Sequence, residues 1–308
     1  MILAIALLQF SCASRKENLK KEIESLLQKQ EGTFAVAFRN LRSKEEILIN
    51  EHDSFHAAST MKTPVMIEVF KQAAEGKFAL TDSITITTEF KSIVDGSPFR
   101  LDSLNDSEQD LFKHVGEKRP LSDLVYRMII KSSNLATNII IDLVDAIKVT
   151  ETMRSMGAQD IQVLRGVEDS KAYALGRNNT TTAYDLMVIF ERIAKGEAVN
   201  PEASKAMTNI LLDQTYNTII PAKLPPNVKV AHKTGWITGL NHDSAIVFLP
   251  DGRSYVLVLL SKNLKDEKAA IETMASISEM IYRFVLEDRK STRLNSSHVL
   301  RSRMPSSA

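Results

Sequence analysis

Apolar residues recur along this chain in two rhythms. Alternation with a period of two marks 33–39, where Phe34, Val36 and Phe38 fall on one side, and a second short run covers 46–50. The polar stretch Asn40–Lys44 between them predicts a hairpin. From Ala58 to about Leu212 the spacing becomes helical, predicting helices at 59–75, 121–130, 134–147, 150–156, 183–195 and 201–212. Strand patterns return at Val228–His232, Ser244–Leu249 and Ser254–Ser261, with a Pro-Asp-Gly-Arg turn at 250–253 joining the last two. Amphipathic helices at Lys16–Lys29 and Glu267–Leu286 bracket the whole. No repeat or low-complexity linker interrupts it. An antiparallel sheet drawn from both ends of the chain, flanked by terminal helices and carrying a helical insertion, predicts one α+β unit.

The two ends read differently from the body. Residues 1–10 form an apolar run, half the roughly 20 residues a membrane-spanning helix needs. Its length suits the hydrophobic part of an export signal within a leader segment 1–15. Leu8-Gln9-Phe10-Ser11-Cys12 resembles a loose bacterial lipoprotein box, with Cys12 as lipid acceptor. The plainer reading is a free cysteine buried in an N-terminal helix. The expectation is an exported, periplasmic protein, with membrane attachment through Cys12 as the lipidated form. Residues 288–308 have no hydrophobic period and carry five Arg/Lys against Asp288. They read as translated adapter sequence or as a basic, disordered tail, and are set aside from the fold. Without them the chain is net −3 rather than +1.

Composition narrows the chemistry. The 308 residues are 44% hydrophobic and 25% charged, an ordinary globular mix. Lys plus Arg (39) nearly balance Asp plus Glu (38), which leaves no field for nucleic acid. A single cysteine and six histidines without metal-ligand spacing predict neither disulfide, metal nor cofactor.

Three short motifs can carry acyl transfer. Ser59-Thr60-Met61-Lys62 opens a predicted helix, and residues three apart share a helix face, so the Lys62 amine can sit beside the Ser59 hydroxyl. Serine needs an adjacent base to attack a carbonyl, and a desolvated lysine can serve. No other serine here has a lysine three residues later. Ser132-Ser133-Asn134 lies between two helices, where a hydroxyl could relay protons and an amide could hold a carbonyl. Lys233-Thr234-Gly235 ends a strand whose edge could take an extended substrate, with Lys233 on its carboxylate and Gly235 allowing close approach. Taken singly, these are also a capped helix, a helix-capping turn and a strand end.

In this order the three motifs resemble the S-x-x-K, S-D-N and K-T-G signature of class A β-lactamases and penicillin-binding proteins. The resemblance covers roughly 17–287. Arg165-Gly-Val-Glu168 begins a segment that looks like the class A Ω-loop, with Glu168 following Ser132 at the family's spacing of 36 residues. Penicillin-binding peptidases lack that glutamate. The resemblance implies a three-layer α/β/α part (16–57 and 213–287) with an antiparallel sheet, an all-helical part (58–212), and a site between them. It implies Ser59 as nucleophile, Lys62 as its activating partner, Ser132 as proton relay and Glu168 as the base for deacylation. Asn134, Lys233, Thr234, Gly235 and Trp236 would bind substrate, with the backbone N–H groups of Ser59 and Trp236 as oxyanion hole. Asn138 would tie the middle helix to the Ω-loop. The implied partner is a small β-lactam, with the protein a monomer. The alternatives are a peptidoglycan D,D-carboxypeptidase or esterase, or a β-lactam sensor that stays acylated.

Four departures stand out. Ser133 occupies the place of an aspartate, so a structural hydrogen bond is expected to be shortened or lost. Ala172 occupies the place of an asparagine that helps hold the water. Arg165 faces Asn179 rather than an aspartate, so no ion pair is expected there. The 73 residues from Ser59 to Ser132 exceed the family norm, which points to an insertion within 88–115.

Overall fold

The computed structural model describes the backbone of residues 2–301 and the side chains of residues 15–287. The lipidation reading at Cys12 and the tail reading of 288–308 lie outside the described side chains. Among the described residues no helix is long and apolar enough to cross a membrane.

Five antiparallel strands form the main sheet. They are β1 (Thr33–Asn40), β2 (Glu46–Ile49), β9 (Lys229–Ile237), β10 (Leu240–Phe248) and β11 (Ser254–Lys262), in the order β2-β1-β11-β10-β9. The hairpin pairs Val36 with Ile49, and β1 then runs against β11 from Thr33↔Lys262 to Asn40↔Tyr255. The two chain ends are thus neighbours in the middle of one sheet. Alternate side chains leave on opposite faces. Phe34, Val36, Phe38, Leu257 and Leu259 pack toward α1 (Ile2–Leu27) and α9 (Glu267–Arg301), together with Ile23, Met274, Ile277 and Ile281. Ala35, Ala37, Val256, Val258 and Leu260 join the core on the other face. Both faces are covered, which explains why β10 and β11 are buried along nearly their whole length.

The second core is mostly helical. It contains α2 (Lys62–Ala74), α3 (Leu121–Ile130), α4 (Asn134–Val144), α5 (Ala146–Ser155), α7 (Ala183–Ala194) and α8 (Pro201–Leu212). Helix α2 is buried from Lys62 to Phe70 and is central, as a helix apolar on most sides must be. Helix α7 lies on the inner face of β1, β10 and β11, while α8 packs on β9. Three two-stranded ribbons, none visible in the hydrophobic pattern, complete this part. They are β3 (Phe55–His56) with β8 (Thr180–Thr181), β4 (Ser83–Thr85) with β7 (Lys118–Pro120), and β5 (Glu89–Lys91) with β6 (Pro98–Arg100). The segment expected as an insertion therefore carries the β5–β6 ribbon and two 3₁₀ turns. A short α6 (Ser170–Ala174) lies inside the Ω-loop.

Charge ties α7 to the sheet. Glu191 receives Arg39 of β1, Lys44 at 3.0 Å and Lys195 at 2.6 Å, and Arg39 also reaches Glu46 at 2.5 Å. Burial pushes the Glu191 carboxyl up, but hydrogen bonds from Lys195, Lys44 and Arg39 outweigh it and bring it from 4.5 to about 2. A carboxylate depressed in the folded state stabilises above its unfolded pKa, and that stability is lost as pH falls toward the folded value. Glu191→Gln is expected to lower stability by about 1–3 kcal/mol at pH 7. The gap from wild type should narrow as pH falls from 4.5 toward about 2. Thermal melts of both proteins across that range check this, and a gap that stays constant contradicts it.

Candidate active site

The nucleophile candidate does not open an α-helix. Ser59 lies in a 3₁₀ turn, Ala58–Met61, which hands over to α2 at Lys62. Ser59 caps nothing; residue Ala57 stands at the cap position and makes no side-chain bond. The turn is anchored from outside. Thr60 Oγ1 donates to Ala57 O at 2.6 Å, Ala57 N donates to Asn179 O at 2.8 Å, and Asn179 Nδ2 meets Met61 Sδ at 2.8 Å.

The Lys62 amine is fully buried and turns to the middle motif rather than to Ser59. Its Nζ donates to Ser132 O at 2.7 Å, Asn134 Oδ1 at 3.0 Å and Ser132 Oγ at 3.2 Å. Burial brings its pKa from 10.5 down to about 7, against the opposing pull of the Asp106 and Glu168 carboxylates. Lys233 Nζ, also fully buried, donates to Thr234 O at 2.8 Å and to Ser132 Oγ at 3.1 Å. Burial first, and then the charge of Lys62, push it well below the ordinary lysine value, with Asp243 opposing. One hydroxyl thus sits between two amines. Both donate to it, filling its two acceptor positions, so the Ser132 proton is left to point elsewhere.

Asn134 links this pair to the Ω-loop. Its Oδ1 accepts from Lys62 Nζ and its Nδ2 donates to Glu168 Oε1 at 2.8 Å. The Glu168 carboxyl is pushed up by burial, lowered by the Asn134 bond and raised again by Asp106. Ala58, Ser132 and Glu168 all hold φ between +44° and +62°, a region that non-glycine residues rarely occupy. Such strain persists only where the surroundings over-determine it, and here all three positions flank one cleft.

Those surroundings are visible. Asn138 on α4 clamps the Ω-loop, with Nδ2 donating to Val167 O at 3.0 Å and Oδ1 accepting from Val167 N at 2.6 Å. Asn179 fastens the far end, its Oδ1 accepting from Leu164 N at 2.8 Å and its Nδ2 donating to Arg165 O at 2.9 Å. Among the described residues Arg165 makes no ion pair. Its guanidinium instead donates to Arg177 O, Gly166 O and Asn178 Oδ1. Ala172 is fully buried and brings no polar atom to the cleft. Ser133 serves as the N-cap of α4, its Oγ accepting from Ala136 N at 3.2 Å.

Strand β9 closes the site. A β-carbon on Gly235 would lie 3.2 Å from Ser59 N and 3.1 Å from Thr60 N, so any side chain there would press the strand and the Ser59 turn apart by a few tenths of an ångström. The next residue, Trp236, is 62% exposed, and its indole donates to Glu267 Oε2 at 2.8 Å. Glu267 also accepts from Gly239 N at 2.7 Å and Asn241 Nδ2 at 3.1 Å, fixing the β9–β10 turn to the start of α9. Ser59, Ser132, Asn134, Glu168, Thr234, Gly235 and Trp236 line a single cleft of about 1070 Å³, and Lys62 and Lys233 lie beneath it. Sequence reasoning misses Asp106, Asn179 as an anchor and Glu267, since each acts through contacts distant along the chain.

The Ω-loop clamp is tight enough to test. A β-carbon on Gly166 would fall 2.2 Å from Asn138 Oδ1. Gly166→Ala should therefore displace one partner and cost about 1–3 kcal/mol, the usual range for overpacking. Denaturant unfolding measures this, and an unchanged midpoint contradicts the clamp.

Known proteins resemble this chain in sequence and in fold. The model of the β-lactamase enzyme family (Beta-lactamase2) matches residues 18–285. The extended-spectrum β-lactamase PER-1 of Pseudomonas aeruginosa is 22% identical over 303 residues, covering 93% of each chain. The β-lactamase VEB-1 of the same organism is 21% identical, covering 89% of this chain and 92% of its own. Among solved structures, a β-lactamase from Sphaerobacter thermophilus superposes with a TM-score of 0.73 at 26% identity, covering 87% of this chain and 95% of that one. PBP-A superposes with a TM-score of 0.74, also at 26% identity, covering 88% and 96%. With the family model matched across nearly the whole folded body, this chain belongs to the β-lactamase enzyme family.

Proposed function

We propose that this protein is a class A-type serine β-lactamase that opens the β-lactam ring through an acyl-enzyme on Ser59. The Ser59 oxygen attacks the lactam carbonyl as its proton passes to a base, with the uncharged form of Lys62 serving that role. The carbonyl oxygen turns negative and is held by the backbone N–H groups of Ser59 and Trp236. The C–N bond then breaks, and the nitrogen takes the Ser132 proton while Lys62 passes the proton it took from Ser59 to the Ser132 oxygen, which already accepts from both buried amines. Lys233 and Thr234 bind the substrate carboxylate, whose negative charge favours the protonated form of the buried Lys233. Glu168 takes a proton from water, the water attacks the ester, and Ser59 leaves with its proton restored.

The observation that carries this reading is the Lys62–Asn134–Glu168 hydrogen-bond chain, which ties a carboxylate into the cleft that Ser59 also lines. The similarity to PER-1 and VEB-1, both β-lactamases, supports it. A peptidoglycan carboxypeptidase or esterase, or a sensor that stays acylated, is the second reading. The similarity to PBP-A and the lack of a polar group at Ala172 favour it. The apolar leader 1–10 and Cys12 support export with lipid attachment as the cellular setting, and the protein is expected to act as a monomer.

Two experiments separate the readings. Ser59→Ala should abolish covalent labelling by a fluorescent penicillin, and labelling that survives would move the nucleophile elsewhere. Glu168→Ala should slow deacylation by about 10²–10⁴-fold, leaving an adduct with the mass of the intact drug. Intact mass spectrometry after removal of free drug reads the lifetime. Equal lifetimes in wild type and variant would remove Glu168 from deacylation and favour the second reading.

A further inference from the structure

The turn that carries Ser132 and Asn134 is held by a loop far away in sequence. Asp106 is buried, and its Oδ2 accepts from Leu135 N at 2.8 Å while its Oδ1 accepts from Asn134 N at 3.1 Å and Glu108 N at 3.0 Å. Ser107 Oγ donates to Lys131 O at 2.7 Å and to Ser132 O at 3.0 Å. The Ser132 carbonyl is the same one that accepts from Lys62 Nζ. Glu108 is gripped in turn by Arg127 of α3 at 2.8 Å. Residues 106–108 therefore grasp the turn on both sides of its left-handed residue.

These contacts supply what the middle motif lacks. Ser133 spends its hydroxyl on capping α4 and carries no charge. Two N–H groups at the start of α4 have no partner within their own helix, and a carboxylate answers both while meeting the positive end of the helix. We propose that Asp106 is a positioning residue of the active site: it orients the Asn134 amide between Lys62 and Glu168, in place of an aspartate within the Ser132-Ser133-Asn134 motif. Asp106 lies at the edge of the cleft, but both its carboxylate oxygens are taken up by backbone N–H groups of Glu108, Asn134 and Leu135, so it acts through Asn134. Its charge also belongs to the site's electrostatics. Lys62 faces Asp106, Glu168 and the buried Lys233, and Glu168 faces Asp106, Asp102 and Lys62. Asp106 holds the Lys62 proton on, against burial.

This inference rests on the acyl-enzyme reading, and its test keeps the two apart. Acylation rates would be measured by stopped flow with a chromogenic cephalosporin from pH 5 to 9, for wild type, Asp106→Asn and Asp106→Ala. Asp106→Asn keeps the shape and one acceptor oxygen, so it should fold, as circular dichroism would report. Its acylation should fall at least about tenfold, the effect expected when a catalytic group is slightly misplaced. The midpoint of the pH profile should move down by about half a unit or more, because a negative charge next to Lys62 is gone. A merely structural cap would lower stability without moving that midpoint. Asp106→Ala should show the larger loss of rate, with Asp106→Asn between it and wild type. Folded Asp106→Asn with the rate and midpoint of wild type overturns the proposal alone. A wild type that forms no acyl-enzyme overturns the function on which it rests.

Discussion

Everything at this site depends on keeping the Lys62 amine dry. An ammonium in an apolar interior carries a heavy desolvation penalty unless its protons are answered or lost. Here three acceptors answer them, and burial still brings the pKa down to about 7. Those acceptors are not incidental. Two belong to Ser132 and one to Asn134, so the burial of one lysine organises the middle motif around it. Lys233 adds a second buried amine on the same hydroxyl, and neighbouring positive charges disfavour each other's protonation. A carboxylate that enters beside Lys233 changes this balance. On the proposed role of Lys233, substrate binding and the proton state of the site are coupled.

The fold serves this arrangement from two sides. Helix α2 is central to the inner core and carries Lys62 with it, while β9 approaches the Ser59 turn so closely that a β-carbon on Gly235 would press on the turn's backbone. Among the described residues no ion pair crosses the Ω-loop. Amide side chains hold it instead, Asn138 at one end with two hydrogen bonds to loop backbone and Asn179 at the other with three. Neutral amides of this kind do not titrate, so this clamp keeps its strength over the pH range in which Lys62 and Glu168 change state.

Much of this is legible in the sequence, and the limits have physical causes. The sheet strands and major helices announce themselves because one or both faces are apolar, and periodicity reads faces. The helical period of α4 runs on to 147, but the chain breaks at Asp145, whose φ of +68° starts α5 instead. The ribbons β4–β7 and β5–β6 stay hidden because three-residue strands show too few positions to reveal alternation. The motifs Ser59–Lys62, Ser132–Asn134 and Lys233–Gly235 stand out because catalytic types at fixed spacing are local signals. Asp106 cannot be found that way. It lies 28 residues from the backbone it caps, and only the folding of the 102–108 loop onto α4 brings them together. The loss expected at Ser133 is a correct local observation with an incomplete consequence, since the missing carboxylate arrives from elsewhere in the chain.

On the proposed reading, Ser59 is acylated with the help of an amine that burial leaves about half uncharged at neutral pH. The most direct measurement is the rate of adduct formation on the Ser59 peptide, followed by rapid quench and mass spectrometry with a saturating cephalosporin between pH 5 and 9. The fraction of uncharged amine grows as pH rises through its pKa. The adduct should therefore form on Ser59 at a rate that climbs toward a plateau, with a midpoint at about 7. An adduct on another residue, or a rate still rising steeply at pH 9 as for a lysine near its ordinary 10.5, would contradict the account.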